Sequence, residues 1–358
     1  MKKDRTPHQA LPLFVAALLL TLFALSSCAL GGLTDGWADG GEHTVNNSPT
    51  AESTSSATTT AKTTTAAPVT TGASALYFNP LTGLPSDSAA ATGRPIALCV
   101  RRASRTTISV ADIVIEGPTE ASATRLMLLG TAHTSPLKKA GLASVRPHLA
   151  MLANDFFAVS VFCGTNDSGL PSTDFLFDTA DASSLQMSDE ITPAELLRSL
   201  GIGTEIAGRI ALPYQLAPVG ESLVPEGTPS TYVSVPFSDT AATSFTYDTL
   251  TRCYTMRTSS ALTDSEGALP AFANLLVLMH DATHHITKDG SELVIDTASG
   301  GTGYLVTAGR SIQILWQRDP ATANLRITDK DGHEITLNRG KTYVAMTTYE
   351  HRERLILN

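Results

Sequence analysis

From Ala29 to about Ser74 the chain carries no hydrophobic period, and Glu52–Thr71 (ESTSSATTTAKTTTAAPVTT) is dominated by Thr, Ser and Ala. Such a segment cannot bury enough apolar surface to offset an ordering cost of roughly 1–2 kcal/mol per residue, so it reads as a flexible tether. Whatever folds must begin near Tyr77. Across the 358 residues 42% are hydrophobic, too much for disorder throughout, and the length can enclose one sizeable core or two smaller ones. Lys and Arg number 25 against 34 Asp and Glu, a balance that excludes the basic footprint nucleic acid requires. Four cysteines exclude a disulfide-dense scaffold.

The chain opens with MKKDR, and Ala10 to Leu25 is apolar apart from Thr21. A charged leader before a short hydrophobic run is the pattern of an export signal, and the run falls short of the ~20 apolar residues a spanning helix needs. It ends in Leu25-Ser26-Ser27-Cys28, which resembles the lipobox of bacterial lipoproteins. That resemblance implies a signal peptide over 1–27, an acylated Cys28, and a tether over 28–75. It places the protein on the outer face of the bacterial cytoplasmic membrane, or on an outer membrane where the host has two. The folded part is acidic, so the lipid and not a basic patch must hold it to the membrane.

Beyond the tether the fold class reads as α+β, with a mixed α/β unit over 76–220, a mostly β unit over 221–349 and a tail, 350–358, too short to assign. Strand-length apolar runs lie at Pro95–Val100, Ala111–Ile115, Arg125–Leu129 and Phe157–Cys163. Ser144–Asp155 suits a helix with Pro147 near its first turn, and Thr192 is placed to cap a second helix that stops at Gly201. After about Gly220, short strands follow one another, with KDG turns at Lys288–Gly290 and Lys330–Gly332. Cys99 and Cys163 end strand-like runs, where small buried thiols are usual; with Cys253 they allow at most one bridge.

Several ordered blocks resemble the YerB-like bacterial lipoproteins, a family of unknown function with distinct N- and C-terminal domains. They are NPLTGLP at Asn79–Pro85, RPIALCV at Arg94–Val100, ADIVIEGPTEASATRLM at Ala111–Met127 and ASVRPHL at Ala143–Leu149. In the second half they are SFTYD at Ser244–Asp248, NLLVL at Asn274–Leu278, SGGTGYLVTAGRSIQILWQR at Ser299–Arg318 and the stretch from Ile327 to Met346. The chain departs from the family pattern in three places. Arg101 and Arg102 stand where paired asparagines are usual, Ala121 and Ser122 replace glycines, and Ala143 replaces the first of two arginines whose second is Arg146.

The polar residues that stand out are Asp112, Glu116, Glu120 and Arg125, with Arg146 as an addition from the helix. Acids set among apolar strand residues need partners, and Arg125 is the nearest guanidinium in sequence. Three readings follow. The set is an ion-pair network that fixes strand ends, or a site for a polar or carboxylate-bearing small ligand, or a glycan or peptide hydrolase built on Glu116 and Glu120. His280, Asp281, His284 and His285 read as a solvated loop in preference to a metal site. The Gly-rich stretch before Arg310 lacks a phosphate-binding Lys-Ser/Thr, and Asp329, Asp331 and Glu334 lack calcium-loop spacing. Trp316 reads as half-buried sheet packing, with sugar stacking by Trp316 or Tyr304 as the alternative. No cofactor or metal is expected. The role these features favour is a lipid-anchored envelope protein that binds a polar ligand, glycan or protein partner without turnover; a structural interaction module is the remaining alternative.

Overall fold

A computed structural model describes residues 77–358 except 88–90, 132–140, 165–178, 182–191, 207–209, 265–266, 289 and 321. The expected signal peptide, acylation at Cys28 and tether therefore lie outside the described residues. The first half contributes β1 (Pro95–Val100), α1 (Arg105–Val110), β2 (Ile113–Pro118), β3 (Thr124–Thr131), α2 (Pro147–Asn154), β4 (Val159–Phe162), β5 (Thr179–Asp181) and α3 (Pro193–Ser199). The second half is largely β-sheet. Its strands are β6 (Tyr232–Pro236), β7 (Ala242–Asp248), β8 (Cys253–Thr258), β9 (Ala271–Phe272), β10 (Asn274–His280), β11 (Ala282–Thr287) and β12 (Gly290–Ile295), then β13 (Gly301–Thr307), β14 (Arg310–Arg318), β15 (Leu325–Thr328), β16 (Thr342–Thr348) and β17 (Ile356–Leu357).

Local chemistry explains the helix boundaries. The Ser104 hydroxyl caps α1 by accepting the Thr107 N–H at 3.1 Å. On α2, Pro147 sits where a missing N–H costs nothing. A capping box opens α3: the Thr192 hydroxyl accepts the Glu195 N–H, and the Glu195 carboxylate accepts the Thr192 N–H at 2.8 Å. Gly201, with φ 71°, turns the chain away after it.

Ten strands of the large sheet run in the order β15-β14-β13-β10-β16-β2-β3-β1-β4-β5. Strands from both halves thus share one ladder. β16 lies parallel to β10 on one side and parallel to β2 on the other, with Thr342 opposite Ile113 and Ala345 opposite Glu116. A strand buried on both faces reads as a nearly continuous apolar run, and every residue of β16 is buried. A second sheet, in the order β9-β8-β7-β6-β17, packs against one face of the first.

Alternation along the central strands divides the core in two. Val114, Leu126, Val277 and Tyr343 face the second sheet and meet Val233, Val235, Phe245 and Phe272. Ile113, Ile115, Met127 and Val344 face the other way and meet Leu149, Leu152 and Phe156 from α2 and its C-terminal end. Tyr343 stacks edge-on to Phe245, ring centroids 4.7 Å apart, and to Phe272 at 5.5 Å. Both phenylalanines are almost fully buried, and sealing such side chains from water contributes roughly 1.5–3 kcal/mol each.

Several expectations change. The segment read as a solvated loop at His280–His285 is the end of β10 and the start of the β11–β12 hairpin, because its backbone pairs with Gly290–Ile295 across the KDG turn. His280 is 3% exposed, while His284 and His285 are exposed on successive, oppositely directed positions. Trp316 is 2% exposed and its indole N–H donates to the Met279 carbonyl at 3.0 Å, so it is core and offers no stacking face. Residues 350–358, too short to assign from sequence, take a definite form: a 3-10 turn over Tyr349–Arg354 leads into β17, which pairs with β6. The three described cysteines, Cys99, Cys163 and Cys253, form no disulfide with one another.

Phe245→Ala empties the aromatic contact beneath β16 and should lower stability by about 3–5 kcal/mol in urea unfolding. A loss below 1 kcal/mol would show that the contact between the two sheets is not where the stability resides.

Candidate functional site

β2 and β3 are antiparallel, with Glu116 opposite Leu126 and Gly117 opposite Arg125. With a period of two, this register sends Glu116 to the face of the second sheet and Arg125 to the face of α2. Glu116 and Arg125 are therefore on opposite sides of the sheet. The expected Glu116–Arg125 pairing does not form, and the five polar residues occupy three separate settings.

Glu116 is completely buried. Its Oε1 accepts the Thr124 hydroxyl at 2.8 Å; its Oε2 accepts the Thr243 hydroxyl at 2.8 Å and the Tyr343 phenol at 2.5 Å. Burial raises its carboxyl above the usual range, opposed by Tyr343, Thr243, Thr124 and Ser259. Hydroxyls replace the missing cation, and they come from both halves of the chain. A carboxyl with no solvent-facing oxygen cannot activate a water or meet a glycosidic bond, so the geometry needed for hydrolysis by Glu116 with Glu120 is absent.

Asp112 sits at the start of β2, where its Oδ2 accepts the Asn79 amide at 2.9 Å. The Asn79 side-chain oxygen accepts the N–H groups of Leu81 and Thr82, so one asparagine both shapes the NPLTGLP turn and clamps the strand. Burial raises the Asp112 carboxyl, countered by Asn79, Lys341 and the Thr131 N–H. Lys341 in turn donates to the Ser109 carbonyl at the end of α1. This is a structural tie between the first turn, α1 and β16.

The third setting contains the arginines. Glu120, in a 3-10 turn over Glu120–Ser122, takes the Arg146 guanidinium in a forked contact, Nη2 to Oε2 at 2.6 Å and Nε to Oε1 and Oε2 at 3.0 and 2.9 Å. Burial pushes the Glu120 carboxyl up, but Arg146, its own backbone N–H and the Leu293 N–H of the β11–β12 hairpin outweigh it and hold the carboxyl below its ordinary value. Arg125 behaves differently. It is 7% exposed; among the described residues its Nη1 donates to the Thr124 carbonyl at 3.1 Å, and its Nε has no hydrogen-bond partner. Burial lowers its affinity for its proton, and the neighbouring positive charges of Arg101 and Arg146 lower it further, against opposing contributions from Cys99 and Glu120. Cys99, against the same surface, is pushed up to about 12 by burial and is an inert thiol.

Three family departures can be placed here. Ser122 has φ 58°, the left-handed region that favours glycine, so this position costs a Ser what it spares a Gly. Arg101 supplies a third guanidinium charge near Arg125 where the family pattern has a neutral amide. Ala143 replaces an arginine and is buried, its backbone bridging Cys99 O and Cys163 N at 2.8 and 3.2 Å. Sequence reasoning missed Thr243, Tyr343 and Asn79, since nothing local distinguishes a strand threonine or tyrosine that meets a carboxylate from one that packs.

The buried histidines hold no site. His148 on α2 contacts the Pro118 carbonyl through Nε2 at 3.1 Å, and His280 contacts the Asp296 carbonyl through Nδ1 at 2.9 Å; burial pulls each down to about 4. Both are neutral near pH 7. Among the described residues no three His, Cys, Asp or Glu side chains converge as metal ligands.

The architecture defines a class: a mixed α/β half and a β-rich half joined by parallel pairing through one shared sheet. The family comparisons agree with it. Residues 81–190 match the N-terminal domain and residues 233–344 the C-terminal domain of "Protein of unknown function (DUF3048)". The chain belongs to this family, the YerB-like proteins. It is 27% identical over 294 residues to the Bacillus subtilis (strain 168) protein named "Putative lipoprotein YerB", covering 74% of this chain and 84% of that one. The crystal structure of the Bacillus subtilis YerB protein superposes with a TM-score of 0.60 at 21% identity, over 75% of this chain and 96% of that one, and so has the same fold.

Replacing Glu116 separates the hydroxyl cage from its charge. Because the native state raises this carboxyl, ionisation weighs against folding above the native value, and that penalty disappears as pH falls below it. Glu116→Gln should therefore equal or exceed the unaltered protein in urea resistance at about pH 8 and lose that advantage toward about pH 4. A variant that is less stable at pH 8 and recovers in acid would reverse the sign.

Proposed function

We propose that this chain is a lipid-anchored protein of the bacterial cell envelope that binds a small carboxylate-bearing ligand at Arg125, without catalytic turnover. The anchor rests on Leu25-Ser26-Ser27-Cys28 and is supported by the name its Bacillus subtilis relative carries. The binding reading rests on one observation, the buried Arg125 guanidinium whose Nε is unpartnered and whose neighbours include two like charges. A buried charge without a counter-ion is costly, and an incoming carboxylate can take two parallel N–H bonds from a guanidinium. Glu120 is bonded to Arg146 and acts on Arg125 only through space, so among the described residues no carboxylate is hydrogen-bonded to Arg125. A structural ion-pair network accounts for Glu120–Arg146 but leaves Arg125 unexplained.

Two experiments test this. Citrate and acetate should raise the thermal unfolding midpoint of the intact protein, and Arg125→Met should abolish the rise while leaving the ligand-free midpoint equal or higher, since removing an uncompensated buried charge is neutral or favourable. An unaltered protein indifferent to both anions, together with a destabilised Arg125→Met, would assign Arg125 to structure alone. For the anchor, Cys28→Ser should move the protein from the membrane to the soluble fraction of its native host, and mass measurement of the membrane form should find the lipid on Cys28. Retention of the serine variant at the membrane would overturn the anchor.

A further inference from the structure

A crevice of about 740 Å³ opens where β13 meets the C-terminal 3-10 turn and β17, far larger than a water site and within the range of small-ligand pockets. Met279, Leu355 and the ring of Tyr304 supply apolar walls, while Tyr349, Arg352 and Glu353 supply polar ones. Thr302 and Tyr304 share one face of β13, being two residues apart on a strand. The Tyr349 hydroxyl accepts the Thr302 backbone N–H at 2.7 Å and lies 3.1 Å from the Thr302 hydroxyl, which fixes a second aromatic ring beside the first before any ligand arrives. Both tyrosines are half-buried and so retain accessible ring surface.

Two side-chain charges on the rim of this crevice offset one another. Arg352 Nε and Glu353 Oε1 are 3.1 Å apart on its exposed rim, so an anion or cation gains little net attraction there. What the walls can satisfy is a neutral molecule with C–H faces for the tyrosine rings and hydroxyls that both accept from a guanidinium and donate to a carboxylate. We infer that this crevice binds a neutral sugar ring, as a site separate from Arg125 and independent of the carboxylate reading. Of the two aromatic residues that stacking could have used, Trp316 is sealed in the core and only Tyr304 faces the crevice.

Isothermal titration of the full chain with chitotetraose, a neutral amino-sugar oligomer, should give saturable binding. Tyr304→Ala and Arg352→Ala should each weaken it about tenfold, and Tyr304→Phe should retain it. Arg125→Met should leave sugar binding unchanged, so the two sites succeed or fail separately. Tyr304 also packs against the core, and Arg352, exposed at the rim, carries the comparison if Tyr304→Ala does not fold. No saturable binding by the unaltered chain, or undiminished binding by Arg352→Ala, overturns the inference.

Discussion

The parallel insertion of Thr342–Thr348 between Asn274–His280 and Ile113–Pro118 fixes the position of every polar group considered above. A parallel strand satisfies its backbone on both sides only if its register with each neighbour is set at once, and here the two neighbours come from opposite halves of the chain. Once Tyr343 is opposite Val114, its ring must enter the space under the second sheet, and its hydroxyl reaches the one carboxylate that faces the same way. The Phe245 and Phe272 contacts then follow from the same alternation.

That alternation also sorts the charges. The sheet acts as a low-dielectric partition, with a buried carboxyl hydrogen-bonded by hydroxyls on one face and guanidinium groups gathered on the other. Glu120 escapes the partition because it lies past the end of β2, in the turn, and can reach Arg146 at the start of α2. The hairpin of Ala282–Ile295 reaches the same turn through the Leu293 N–H, so the arginine surface is assembled from both halves although all its guanidinium groups belong to the first.

Much of the fold was legible along the chain. Pro95–Val100 and Tyr232–Pro236 are apolar enough to declare themselves, the Thr192-to-Glu195 spacing announces a helix start, and the KDG turns separate strands as their backbone chemistry requires. Ala282–Thr287 was not legible, because its ATHHIT sequence sets two adjacent histidines where an apolar alternation would show, and its extended form comes from pairing with Gly290–Ile295. The terminal HRERLILN was silent for the same reason: β17 exists only as an edge partner of Tyr232–Pro236. For the candidate site, the sequence picked out the ionisable residues and mispaired them, since nearness along the chain says nothing about which face of a strand a side chain occupies.

By itself the sequence determined the α+β character and the family, because these rest on composition, period and short motifs. Only the tertiary structure decided that the halves share one sheet, that Glu116 is held by hydroxyls, that the Arg125 Nε has no hydrogen-bond partner among the described residues and that Tyr304 and Tyr349 share a crevice. Those facts depend on strand register and on contacts across more than a hundred residues, where a shift of one position exchanges the two faces of a strand.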